Sequence, residues 1–254
     1  MKKTLLTAGI LAATSFAHAD VLTTIKPLGF IANAITDGVT ETQVLLPVSA
    51  SPHDYSLKPS DVEKLKSAEL VVWVGHGLES FLEKSVEKLP ESKVLELGEV
   101  PAIEEIIEAT HHEDHDHDHD HGHHQHAHGH DHHGHDHSHD WHIWLSSDAS
   151  KIAAEQIADR LTQLYPTKKA KIAENLAKFK AAVDAKTVQL KAQLEPVKGK
   201  GYYTFHEAYG YFESAYGLNS LGSFTINPTV APGAKTLAKI KEHIAEHKAV
   251  CLFA

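Results

Sequence analysis

The run Leu70-Val-Val-Trp-Val74-Gly75 decides the fold. A continuous apolar strand closed by glycine leaves no polar face for solvent, so burial on both faces is predicted. Strands of that kind belong to parallel sheets covered by helices. The flanking sequence agrees. Residues 21–26 read as a strand, followed by a helix through Phe30, Ile31 and Ile35. A second strand is predicted over 44–48, then a loop. Ser60-Asp-Val-Glu63, after Pro59, has the form of a capping box and opens a short helix through Val62, Leu65 and Lys66. Beyond the central strand, 78–88 read as helix and 94–97 as another strand. This β-α-β succession predicts an α/β fold.

The rhythm resumes further on. Residues 147–164 read as one helix, Pro166 punctuates, and a longer helix is predicted over about 168–194. Its apolar positions Ile172, Leu176, Phe179, Val183, Leu190 and Leu194 form one stripe. Such a helix is about 40 Å long, longer than a small domain needs, so it is expected to bridge two domains. Pro196 and Lys198-Gly-Lys-Gly201 end it. Strands are then predicted at 202–205, 223–226 and from 249 onward, with helices at 208–216 and 234–247.

Histidine is the compositional outlier: 23 residues, 16 of them between His111 and His139. With Glu113 and seven aspartates, the window 111–140 holds eight acids and no Lys or Arg. It cannot bury a core and reads as a disordered insert. The formal charge of −10 argues against nucleic acid as a partner. Residues 1–19 read as a secretory leader: Lys2 and Lys3, an apolar run, then Ala17-His18-Ala19 as the cleavage pattern. No Cys follows to take a lipid anchor, and no later run reaches the roughly 18 apolar residues of a span. A soluble protein of a periplasm-like compartment is expected. The chain ends at Ala249-Val-Cys251-Leu-Phe-Ala254, which reads as a buried strand without a following turn. With Cys251 unpaired, a C-terminally truncated chain is expected.

Six histidines lie outside the insert and the leader: His53, His76, His142, His206, His243 and His247. Ligands gather at the carboxyl ends of strands in α/β sheets. His53 follows the strand 44–48, His206 ends the strand 202–205, and His142 stands between Trp141 and Trp144 ahead of a helix. Three neutral imidazoles with one open position suit Zn²⁺, and better than they suit hard Mn²⁺ or Mg²⁺. His76, after strand 70–74, is the reserve candidate for the fourth position, which is otherwise open to water or to a group from sequence beyond Ala254. His243 and His247 lie i, i+4 on a Lys- and Glu-rich face and are expected to be solvated. They lack the glutamate of the His-Glu-x-x-His motif.

These residues resemble a family. Leu45-Leu-Pro-Val-Ser-Ala-Ser-Pro-His53-Asp-Tyr-Ser-Leu-Lys-Pro-Ser-Asp61 is similar to the first ligand loop of the high-affinity zinc-uptake solute-binding proteins, the ZnuA type of cluster A-I. Trp141-His142-Ile-Trp-Leu-Ser146 resembles their second ligand segment, and Tyr203-Thr-Phe-His206-Glu-Ala-Tyr-Gly-Tyr-Phe212 their third. The likeness spans the mature chain, including a His/Asp-rich insert before the second ligand. It implies two Rossmann-like α/β lobes with small parallel sheets, joined by a long rigid helix. It further implies a metal held between the lobes and delivered to a membrane ABC permease. It carries ligand roles onto His53, His142 and His206. Two departures stand out. Pro52 occupies a position that is acidic in some zinc-specific members, and manganese-type relatives supply a carboxylate from sequence beyond Ala254. The family's partner for the C-terminal cysteine is also absent.

The organisation expected is a leader at 1–19 and an N-terminal lobe at 20–166, with 111–140 inserted in it. A linker helix at 167–195 and an incomplete C-terminal lobe at 196–254 follow. In the insert, i, i+2 spacing lets imidazole pairs share a metal. Weak, labile auxiliary sites are therefore expected at His115, His117, His119, His121, His123, His124, His126, His128, His130, His132, His133, His135, His137 and His139. Selectivity there is expected to be poor, and protonation near pH 6 to weaken capture. The expected function is capture of Zn²⁺ by a monomer without chemistry of its own. The rival readings are a zinc hydrolase or lyase using three histidines and water, a zinc buffer or chaperone, and a manganese-type relative.

Overall fold

The computed structural model describes residues 20–109, 139–225, 229, 231–246 and 248–253. The leader and nearly all of the histidine-rich insert lie outside them. The first part of the chain runs β1 (Val21–Thr23), α1 (Lys26–Thr36), β2 (Thr42–Val44), α2 (Pro59–Ser67), β3 (Leu70–Trp73), α3 (Glu83–Val86), β4 (Val94–Glu96) and α4 (Pro101–Ala109). Its four strands are all parallel, in the order β2-β1-β3-β4. Every residue of β3 is buried, and Val74 beyond it is too, as the apolar run requires. The helices α5 (Ser147–Leu164) and α6 (Lys169–Leu194) follow. A second sheet then forms from β5 (Gly201–His206), β6 (Ser220–Thr225) and β7 (Ala249–Phe253), parallel and ordered β6-β5-β7, with α7 (Gly210–Tyr216) and α8 (Ala234–Ala245) between strands. The α/β class with two small parallel sheets and one long helix is therefore correct.

Local chemistry shifted several boundaries. β2 lies over 42–44, not 44–48. The Leu45 and Leu46 N–H groups still donate to the Thr23 and Thr24 carbonyls (2.8 and 2.9 Å), and Pro47, without an N–H, stops the pairing. α2 begins one residue ahead of the expected cap. Pro59 takes the first helical position and Asp61 accepts from the Lys58 N–H at 3.0 Å. The helix expected over 78–88 splits into a 3-10 turn, Ser80–Leu82, and the short α3, because the Glu79 carboxylate is bound back to Val74 and Gly75. Phe30 faces solvent. The helix α4, absent from the sequence reading, opens at Pro101 and buries Ile103 and Ile107.

The long helix packs unevenly. Ile172 and Asn175 are buried, and Asn175 Nδ2 donates to the carbonyls of Ile35 and Asp37 (2.9 and 2.8 Å), tying α6 to the end of α1. Toward the other end the apolar stripe is only half-buried, and Val188 is 70% exposed. The main core surrounds the first sheet and takes in α5, Ile172 and, from the second half, Tyr211. A small separate core forms from Tyr203, Ile240 and Ala249, with Leu221 and Phe224 against it. β7 does not read as the buried strand expected: Ala249 is buried, while Val250, Cys251, Leu252 and Phe253 are exposed.

Candidate metal centre

Three segments carry a histidine to the carboxyl ends of the strands. His53 sits in the loop that leaves β2 after Pro47, where its backbone N–H donates to Ser51 Oγ at 3.2 Å. His206 is the last residue of β5. His142 precedes a 3-10 turn, Ile143–Leu145, and Ser146 then caps α5 by accepting from the Ala149 N–H at 3.2 Å. The neighbouring Trp141 fixes that approach. Its indole lies against Gly77, where any Cβ would overlap the ring, so the close contact needs glycine.

Residues far apart in sequence thus meet atom to atom. His53 Nε2 lies 3.3 Å from His142 Nε2 and 3.2 Å from His206 Nε2, and the latter two are 3.0 Å apart. Tetrahedral zinc bound at about 2.0–2.1 Å holds its nitrogen donors about 3.3 Å apart, so the triangle suits one face of such a site. His142 is buried and the other two are partly exposed. Among the described residues, no carboxylate joins the three. The cleft around them, about 560 Å³, is walled by the loop 48–53 on one side and by Ala208 and Tyr209 on the other. That leaves ample room for a water in the fourth position.

His142 is also held from behind. The Asp140 carboxylate accepts from its backbone N–H at 2.9 Å, and Oδ1 lies 2.7 Å from Nδ1. A second carboxylate sits beneath the loops. Glu79 is fully buried, accepts from the Val74 and Gly75 N–H groups (2.8 and 3.2 Å) and takes the Thr24 hydroxyl hydrogen bond. Burial pushes its pKa up to about 7 against those three bonds.

The remaining histidines stand elsewhere. His76 is outside the three-residue group: its exposed ring turns to Glu96, with Nδ1 3.3 Å from Oε1, and lies edge-on to Trp141. Its strand does end beside the cleft, but Glu96 draws the ring away. His243 is not simply solvated; its Nδ1 meets the Tyr203 hydroxyl at 2.5 Å. His247 and the auxiliary histidines from His115 to His137 lie outside the described residues. His139 is described and does not belong to the group. Asp140, Glu79 and the packing of Trp141 on Gly77 were missed from sequence. Only Asp140 had a signal there, as a carboxylate two residues before a candidate ligand.

Residues 21–254 match the family described as ZnuA, zinc-uptake complex component A, periplasmic. The chain belongs to the ZnuA family. It is 74% identical to the high-affinity zinc uptake system protein ZnuA of Haemophilus ducreyi, covering all of this chain and 82% of that protein. Identity to the protein of the same description from Haemophilus influenzae is 51%, over 100% and 83%. Among solved structures, a crystal structure of ZnuA superposes with a TM-score of 0.69 at 22% identity, covering 90% of this chain and 79% of that one. The periplasmic zinc binding protein TroA of Treponema pallidum gives 0.71 at 22%, over 91% and 76%. Those two establish a shared fold. ZnuA proteins serve transport and are not enzymes, which removes the hydrolase and lyase readings.

Proposed function

We propose that this chain captures Zn²⁺ in the periplasm and hands it to an ABC-type membrane permease, with His53, His142 and His206 as the tight site. Family membership makes zinc the cargo and the periplasm the compartment. The observation that carries the site is the convergence of three Nε2 atoms within 3.0–3.3 Å of one another, from positions 53, 142 and 206. Neutral imidazoles favour zinc over harder ions, and water completes the tetrahedron. In this reading residues 1–19 direct export. The lobes at 20–166 and 196–254 are joined by 167–195, and the protein works as a monomer. The histidine-rich insert gathers metal loosely beside the tight site. A freestanding buffer would need no permease, and the family's uptake role favours delivery over storage.

Calorimetric titration of the metal-free chain with zinc tests this. One tight site is expected, lost in His206→Ala, with further weak binding that disappears when 111–140 is deleted. A tight site that survives His206→Ala and goes with the deletion would overturn the assignment.

A further inference from the structure

We propose that Asp140 is the positioning residue of the zinc site: it sets the tautomer of His142 and is itself anchored across the cleft by Tyr211. A neutral imidazole carries one N–H. With Asp140 Oδ1 2.7 Å from His142 Nδ1, that hydrogen belongs on Nδ1, which leaves the Nε2 lone pair facing His53 and His206. The same oxygen accepts the His142 backbone N–H at 2.9 Å, so ring and backbone are held by one carboxylate atom.

Asp140 is in turn gripped by the segment that follows His206. The Tyr211 hydroxyl donates to the Asp140 carbonyl at 2.6 Å. Tyr211 is 8% exposed and packs into the core of the first sheet although it belongs to α7. Beside it, a Cβ on Gly210 would stand 3.0 Å from Asp140 Oδ2, so glycine leaves the space that the carboxylate occupies. One residue therefore touches the second ligand directly and the third through a short stretch of chain. Loosening either grip is expected to blunt metal affinity while leaving all three ligands in place.

The inference rests on the zinc reading for its affinity arm, but its tautomer arm needs no metal. Nitrogen-15 NMR of histidine-labelled, metal-free protein reports which ring nitrogen of His142 is protonated, and competition with a chromophoric chelator reports zinc affinity. Native protein is expected to show Nδ1–H. Asp140→Ala is expected to lose that preference and to weaken zinc binding about 10- to 100-fold. Asp140→Asn, which keeps an acceptor oxygen and spares the fold, is expected to restore Nδ1–H and much of the affinity. Tyr211→Phe is expected to cost about 2- to 10-fold. Native affinity in Asp140→Ala, or lost affinity with an unchanged tautomer, would overturn the proposal. If the native chain takes no zinc, the zinc reading fails. The tautomer of native protein against Asp140→Ala then decides the role of Asp140 alone.

Discussion

Burial takes the Glu79 carboxylate out of solvent, and three hydrogen bonds only partly compensate. Its carboxyl, raised to about 7, holds a proton that the unfolded chain releases near 4.3. Folding thus takes up a proton between those values. The stabilisation is full below about pH 4.3 and is lost as pH rises through about 7. Glu79→Gln removes this dependence, since the amide oxygen still accepts from the strand end and the Thr24 hydroxyl can turn to accept. In urea unfolding at pH 5 to 8, native protein is expected to lose on the order of 3 kcal/mol relative to the variant. Parallel curves would contradict this. Buried polar residues such as Glu79 and Asn175 were not legible in the sequence. A carboxylate or amide looks the same there whether it faces water or a backbone group contributed from elsewhere. The three clustered histidines were legible, because His206 ends a strand, His142 stands ahead of a helix and His53 lies in the loop that leaves a strand.

At the scale of elements, the central strand was readable because burial on both faces leaves an uninterrupted apolar run. The long helix was readable in extent, its stripe spanning all of α6. How its burial is shared out was not, because periodicity marks a face without saying what covers it. The anchor lies at Ile172 and Asn175, against α5 and α1. Ile172→Ala is expected to cost about 2–5 kcal/mol by leaving a cavity. Val188→Ala, on the exposed side, is expected to stay within about 0.5 kcal/mol. Chemical denaturation of both variants tests this, and equal losses would place the anchor elsewhere. The strand β7 shows the same limit from the other side. Its apolar sequence reads as interior, yet four of its five side chains are exposed on a sheet edge.

For the whole molecule, function comes from bringing together three histidines that no local motif joins. The two parallel sheets each end a strand near the cleft, and Tyr211 reaches from the second half into the core of the first. Sequence patterns picked out the three histidines that cluster but not the pins, Trp141 on Gly77 and Tyr211 on Asp140, that hold them at contact distance. In the function proposed, the abundant histidines of the insert gather metal loosely, while the sparse ones hold it. Anomalous diffraction at the zinc edge from zinc-loaded crystals tests that division most directly. The expected result is one dominant peak bound by the Nε2 atoms of His53, His142 and His206, with any peak near 111–140 weaker. A dominant peak away from these three nitrogens would contradict the account.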